Sequence, residues 1–132
     1  EKSENLYIST NDGSYGYHGF VTEILQDNIN KGKKYDHILA IGPVIMMKNI
    51  VKVARPYKIP TTVSMNSTMV DGTGMCGCCR ISVDGEMKFA CVDGPDFDGY
   101  KIDFNEAMNR SRTYIKEERD HVCNITGEIR NG

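Results

Sequence analysis

Residues 67–91 read "STMVDGTGMCGCCRISVDGEMKFAC" and hold four of the chain's five cysteines together with four of its thirteen glycines. Within this stretch Asp84-Gly85 lies between two short β-prone runs, "RISV" and "EMKF", and an Asp-Gly pair so placed is a strong two-residue hairpin signal. If Asp84 and Gly85 are the turn, Val83 faces Glu86 and the ladder runs on until position 79 faces position 90. Cys91 then lands beside Cys79. Opposed strands lie about 5 Å apart, so the turn returns a distant cysteine to within reach of the loop that carries the others.

Upstream of this hairpin the chain reads as α/β. "NLYIST" (5–10) is a short apolar run that stops at the turn-rich "NDGSYGYHG", after which Val21, Ile24, Leu25 and Ile29 recur at helical spacing. "YDHILAIGP" repeats the theme: a nearly continuous apolar strand ends at Gly42-Pro43, and Met47, Ile50, Val51 and Ala54 then mark one helical face. "IPTTVSMNS" supplies a third β-branched strand. Apolar strands alternating with helices imply a parallel sheet covered on both faces, so residues 1–68 are expected to form one unit. Residues 69–132 are expected to form a second, built from the cysteine loop, the hairpin and a C-terminal helix. In that second part Phe104, Met108 and Ile115 suit an amphipathic helix over about 104–118, capped by Asp103. The segment "DGPDFDG" (93–99) reads as a turn near the cysteines.

The bulk numbers narrow the function classes. Sixteen basic and eighteen acidic side chains in 132 residues leave a net charge of −2 with no block of like charge, so nucleic acid and anionic membrane surfaces are not expected partners. No apolar run approaches the roughly 18 residues of a membrane span. The chain begins at Glu1 and enters a strand-like segment almost at once, as a piece of a longer protein would. Five cysteines, four of them crowded between 76 and 91, suit metal ligation in a reducing compartment better than a secreted disulfide framework. A cytoplasmic location is the expectation.

Three chemistries suit the cysteine loop on residue types alone. Asp71, Cys76, Cys79 and Cys91 spell D-x4-C-x2-C-x11-C, the plant-type 2Fe-2S spacing with aspartate at the first cysteine's place. Gly72, Gly74 and Gly77 suit a loop that takes positive φ and brings backbone N–H groups close to sulfides. A zinc site built from Cys76, Cys79 and Cys91 with Cys78, His121 or Cys123 satisfies ligand count and softness equally. A disulfide pair is the third possibility. On this view Asp71 is either a ligand or a residue of an Asp-Gly turn, and Cys78 and Cys123 are plain thiols. His18, His37 and His121 lie in unrelated contexts.

"TNDGSYGYHGFVTEIL", "AIGPVIMM" and "MVDGTGMCGCCRISVDGEMKFACVDGPDFDG", in this order, resemble the C-terminal half of electron-transfer flavoprotein subunits of the ferredoxin–NADP reductase superfamily. The resemblance covers residues 5 to about 118. Within that family it points to the small subunits of NADH-dependent ferredoxin:NADP oxidoreductases, also called sulfide dehydrogenases, and to the electron-transfer subunits of dihydroorotate dehydrogenases. It implies a partial Rossmann-like sheet, the second half of an NAD(P)-binding domain, followed by a small 2Fe-2S domain with Asp71, Cys76, Cys79 and Cys91 as ligands. Aspartate at position 71 resembles the ferredoxin:NADP branch, since the dihydroorotate branch has cysteine there. The FAD-binding β-barrel and the glycine-rich first βα turn of the nucleotide domain have no counterpart in these residues. FAD and NAD(P) are therefore expected of the full-length protein rather than of this stretch, which alone is expected to be inactive.

The resemblance also makes Thr10, Asp12 and Gly13 candidate nucleotide contacts, and Gly42 and Pro43 candidates for the approach to nicotinamide and flavin. Read by residue type alone, these are a polar turn and a strand terminator. The implied activity is electron relay from NAD(P)H and FAD through the cluster to a larger redox partner subunit of a hetero-oligomer, and no residue here is expected to act as acid, base or nucleophile. A zinc-stabilised binding module is the alternative of another class.

Overall fold

The structure, a computed structural model, describes residues 5–112. The expected continuation of the last helix over 113–118, and His121 and Cys123, lie outside the described residues.

Strand β1 (Ser9–Thr10) pairs in parallel with β2 (Tyr17–His18). Helix α1 (Val21–Asn30) follows; the Glu23 carboxylate accepts the Phe20 N–H at 3.1 Å, which satisfies a donor at the helix start. Gly32, at φ +85°, closes the helix end by donating to the Ile29 carbonyl. Strand β3 (Ile38–Ile41) stops at Gly42, helix α2 (Val44–Ala54) starts just after Pro43, and a 3-10 turn (Arg55–Tyr57) leads on to β4 (Thr61–Ser64). β3 and β4 are parallel with Ala40 opposite Val63, so β3–α2–β4 is the βαβ unit that the alternating apolar pattern predicts.

The hairpin β5 (Arg80–Val83) and β6 (Glu86–Phe89) follows the cysteine loop. Strand β7 (Asp96–Asp98) then pairs antiparallel with β4, and α3 (Phe104–Ser111) ends the described chain. Asp103 caps α3 as its sequence position predicts, its carboxylate accepting the Asn105 and Glu106 N–H groups.

One core joins these parts. Met47, Ile50 and Val51 of α2 and Val63 of β4 meet Ile81, Ile102, Phe104 and Ala107 in a single buried cluster. Residues on both sides of position 68 thus bury each other's apolar surface, which is the main favourable contribution available to a chain of this size.

Three expectations are corrected here. The first strand does not join a three-stranded parallel sheet: β1 pairs only with β2, and the central sheet has the order β3–β4–β7 with one parallel and one antiparallel pair. The sheet is not covered on both faces by the described residues. Side chains alternate along β3, so Ala40 turns to α2 and is buried, while Leu39 and Ile41 point the other way at 59% and 67% exposure. The segment 93–99 is not wholly a turn, because Asp96–Asp98 finds the free edge of β4 and pairs with it.

Candidate metal centre

The hairpin sets the geometry of the cysteines. Val83 opposes Glu86 and Arg80 opposes Phe89, and the Ala90 N–H donates to the Cys79 carbonyl at 3.1 Å, so the register is the one Asp84-Gly85 predicts. Asp84 and Gly85 take φ of +56° and +78°, the two left-handed residues of a type I′ turn. Cys91 is thereby delivered to Cys79, with the sulfurs 3.2 Å apart. Cys79 is 2% exposed. The neighbouring Cys79 thiol pushes the Cys91 thiol above its ordinary range. The Asp93 carboxylate accepts the Phe89 N–H at 2.7 Å while its own N–H returns to the Phe89 carbonyl, which pins the bend that holds Cys91.

Asp71 and Cys76 lie at the other end of the loop. Thr73 N–H donates to Asp71 Oδ1 at 2.8 Å and, as the largest influence, holds the Asp71 carboxyl below the usual carboxylate range. Cys76 is a lesser influence on that carboxylate in the same direction. Cys76 is exposed, and its thiol is lowered chiefly by the Cys78 N–H directed at it. The loop turns through Gly72, Gly74 and Gly77, all at positive φ. At Gly74 an added Cβ would stand 2.8 Å from Val92 Cγ2, so only a residue without a side chain lets the loop approach the Cys91 end of the hairpin this closely.

Of the four predicted ligands, the structure brings Cys79 and Cys91 into sulfur contact, while Asp71 and Cys76 lie on the exposed part of the loop. Among the described residues no three His, Cys, Asp or Glu side chains converge on one point as a site for a single ion. The Cys78 thiol turns to the Cys76 carbonyl at 4.0 Å and is raised by its contact with Cys76. Two residues outside the sequence pattern also touch this loop. Arg80 Nη1 donates to the Gly77 carbonyl at 3.3 Å, and Arg110 Nη2 donates to the Cys78 carbonyl at 3.1 Å. Only the repeat of Phe104, Ala107 and Arg110 at i, i+3 hints that Arg110 shares the inward side of α3.

The nucleotide-contact candidates lie in two separate turns. Asp12 Oδ1 accepts the Ser14 N–H and hydroxyl at 3.0 and 2.8 Å, and the Ser14 N–H foremost keeps the Asp12 carboxyl low. Thr10 exchanges hydrogen bonds with the Tyr15 backbone, and Gly13, at φ +71°, donates to the Thr10 carbonyl. These polar groups are engaged within their own loop. Gly42 and Pro43 form the turn between β3 and α2, where the Pro43 carbonyl accepts the Met46 and Met47 N–H groups.

Comparison with known proteins finds relatives for this stretch. Residues 66–103 match the iron–sulfur cluster binding domain of dihydroorotate dehydrogenase B. The chain is 54% identical over 115 residues to an uncharacterised protein of the adh 3′ region of Clostridium beijerinckii, covering 86% of this chain and 39% of that one. It is 45% identical over 115 residues to a dihydroorotate dehydrogenase B (NAD(+)) electron transfer subunit homolog of Thermotoga maritima, covering 87% and 40%. A solved structure of an NADH-dependent reduced ferredoxin–NADP oxidoreductase, studied for flavin-based electron bifurcation, superimposes with a TM-score of 0.76 at 44% identity over 86% of this chain and 40% of that one. The chain thus spans about two fifths of the length of the curated relatives it matches. With its cysteine loop and hairpin inside the matched residues 66–103, the chain is similar to the C-terminal part of electron-transfer subunits named for dihydroorotate dehydrogenase B.

Proposed function

We propose that this chain is the cluster-bearing portion of an oxidoreductase electron-transfer subunit, and that Asp71, Cys76, Cys79 and Cys91 hold a 2Fe-2S cluster. The observation that carries this reading is that the hairpin delivers Cys91 to Cys79 at one end of a glycine-rich loop whose other, exposed end carries Asp71 and Cys76. A single zinc ion needs its three or four protein ligands in one shell. A two-iron cluster takes four protein ligands shared between two metal atoms. Three thiols and one carboxylate suit iron by softness, and Gly72, Gly74 and Gly77 supply the positive φ that lets the loop turn around a bound group. The residues present fit the cluster in the chemistry and number of their donors.

The bound cluster supplies a one-electron carrier. The chain's own part is to hold it and to tune its surroundings. Cys79 is buried against the core while Cys76 is exposed, so the Asp71–Cys76 end of the loop faces outward and the Cys79–Cys91 end faces the fold. The harder oxygen donor of Asp71 sets this centre apart from an all-thiolate one.

In the intact protein, electrons would pass between NAD(P)H and FAD on one side and a larger partner subunit on the other, in the cytoplasm. Thr10, Asp12, Gly13, Gly42 and Pro43 remain the candidate contacts to nucleotide and flavin. The aspartate at position 71 favours ferredoxin/NADP chemistry over dihydroorotate oxidation. The test is the metal content and spectrum of purified full-length protein. Two irons and two sulfides per chain, with visible absorption bleached by dithionite, are expected; a colourless protein holding zinc would establish the binding-module alternative instead.

A further inference from the structure

We propose that Arg110 is a positioning residue for the cysteine loop: it ties the Cys76–Cys79 segment to helix α3 and sets a fixed positive charge beside it. Arg110 lies outside residues 66–103, the span matched by the cluster-binding family. Its Nη2 reaches back 32 positions to the Cys78 carbonyl at 3.1 Å in a part-buried bond. The preceding carbonyl, that of Gly77, is held by Arg80 Nη1 at 3.3 Å. Two successive peptide oxygens of the C-G-C-C run are thus turned onto guanidinium groups.

The orientation matters because a trans peptide points its N–H opposite to its C=O. Drawing the Gly77 oxygen toward Arg80 aims the Cys78 N–H the other way, and that N–H is the group directed at the Cys76 sulfur. By the same rule, Arg110 on the Cys78 oxygen turns the Cys79 N–H away from α3. Arg110 can act as a fixed post because α3 is itself anchored. Asp103 caps its start, Phe104 and Ala107 are buried in the core, and Lys48 Nζ of α2 donates to Asn105 Oδ1 at 2.8 Å. Arg110, three positions beyond Ala107, carries that anchorage to the loop.

A positive charge beside a redox group stabilises the reduced, more negative form and so raises its reduction potential, and partial burial limits screening. This consequence rests on the cluster reading above; the anchoring of the loop does not. Both are tested in the full-length protein. With the cluster reconstituted from iron and sulfide, R110Q is expected to lower the midpoint potential in an EPR-monitored redox titration, and R110K to restore most of the difference by returning the charge. Without the cluster, loss of a charge-assisted hydrogen bond is expected to speed hydrogen exchange at the Arg80 and Ala90 amides by about tenfold in R110Q.

A loaded R110Q at the wild-type potential overturns the electrostatic role, and unchanged exchange at those two amides overturns the anchoring role. If R110Q does not load, R110K decides: loading near the wild-type potential supports the charge, whereas failure to load or a lowered potential overturns it. A wild-type protein that takes up neither iron nor sulfide sinks the cluster reading, and the exchange measurement still decides the anchoring.

Discussion

The sulfurs of Cys79 and Cys91 stand 3.2 Å apart across twelve positions of sequence. The contact follows from the hairpin register, in which Val83 meets Glu86 and the Cys79 carbonyl meets the Ala90 N–H. The turn at Asp84-Gly85 is therefore part of the site although it lies away from it.

Gly85→Val tests that dependence. Gly85 sits at φ +78°, a conformation that costs a residue with a Cβ about 1–2 kcal/mol. The variant is expected to lose about that much stability in urea unfolding, and Asp84→Gly, which relieves the strain at φ +56°, to lose less. Equal midpoints for all three proteins would show that the turn does not set the register.

Asp71 is expected to be a ligand, with a clear contrast between two substitutions. Asp71→Ala in the full-length protein should lower iron per chain, while Asp71→Cys should retain iron and move the midpoint potential, because a thiolate replaces a harder oxygen donor. Iron content and potential unchanged in Asp71→Ala would remove this residue from the ligand set.

Cys78 and Cys79 are adjacent in sequence and are expected to differ in role. Cys79 is buried and paired with Cys91, whereas the Cys78 thiol turns to a backbone carbonyl. Cys78→Ser should keep the visible spectrum of the loaded protein and Cys79→Ser should abolish or strongly alter it. The reverse result would reassign the pair.

The Asp103 cap supports α3 by accepting two backbone N–H groups. Asp103→Ala is expected to cost about 1 kcal/mol in thermal or urea unfolding. Asp103→Ser should recover much of that loss, and failure of Ser to do so would mean that the carboxylate acts by something other than capping.

Core and open sheet face should answer oppositely to truncation. Met47 is fully buried at the centre of the shared core, so Met47→Ala is expected to cost about 2–5 kcal/mol. Leu39, on the face of β3 that no described residue covers, should tolerate Ser within about 0.5 kcal/mol in this chain. A large loss at Leu39 would mean that this face is covered in solution.

Much of this was legible in the chain itself, for reasons that are local. Helical spacing of Val21, Ile24, Leu25 and Ile29 and of Met47, Ile50, Val51 and Ala54 located α1 and α2, because one apolar face must be buried whatever lies opposite it. Asp84-Gly85 determined the hairpin and its register, since few other residues accept two left-handed conformations in succession. Pairing between segments far apart in sequence was not legible. The edge of β4 accepted Asp96–Asp98 and β1 turned to Tyr17–His18, choices made by which unpaired backbone edge lay nearest once the helices had packed.

For the candidate centre, the spacing of Asp71, Cys76, Cys79 and Cys91 was sufficient to name four donors, because ligand chemistry is written in residue type. Tertiary structure brought Cys91 against Cys79, and it brought Arg110 onto the Cys78 carbonyl. That contact depends on where α3 settles against the core, through Phe104 and Ala107 on α2 and β5, and no spacing along the chain encodes it.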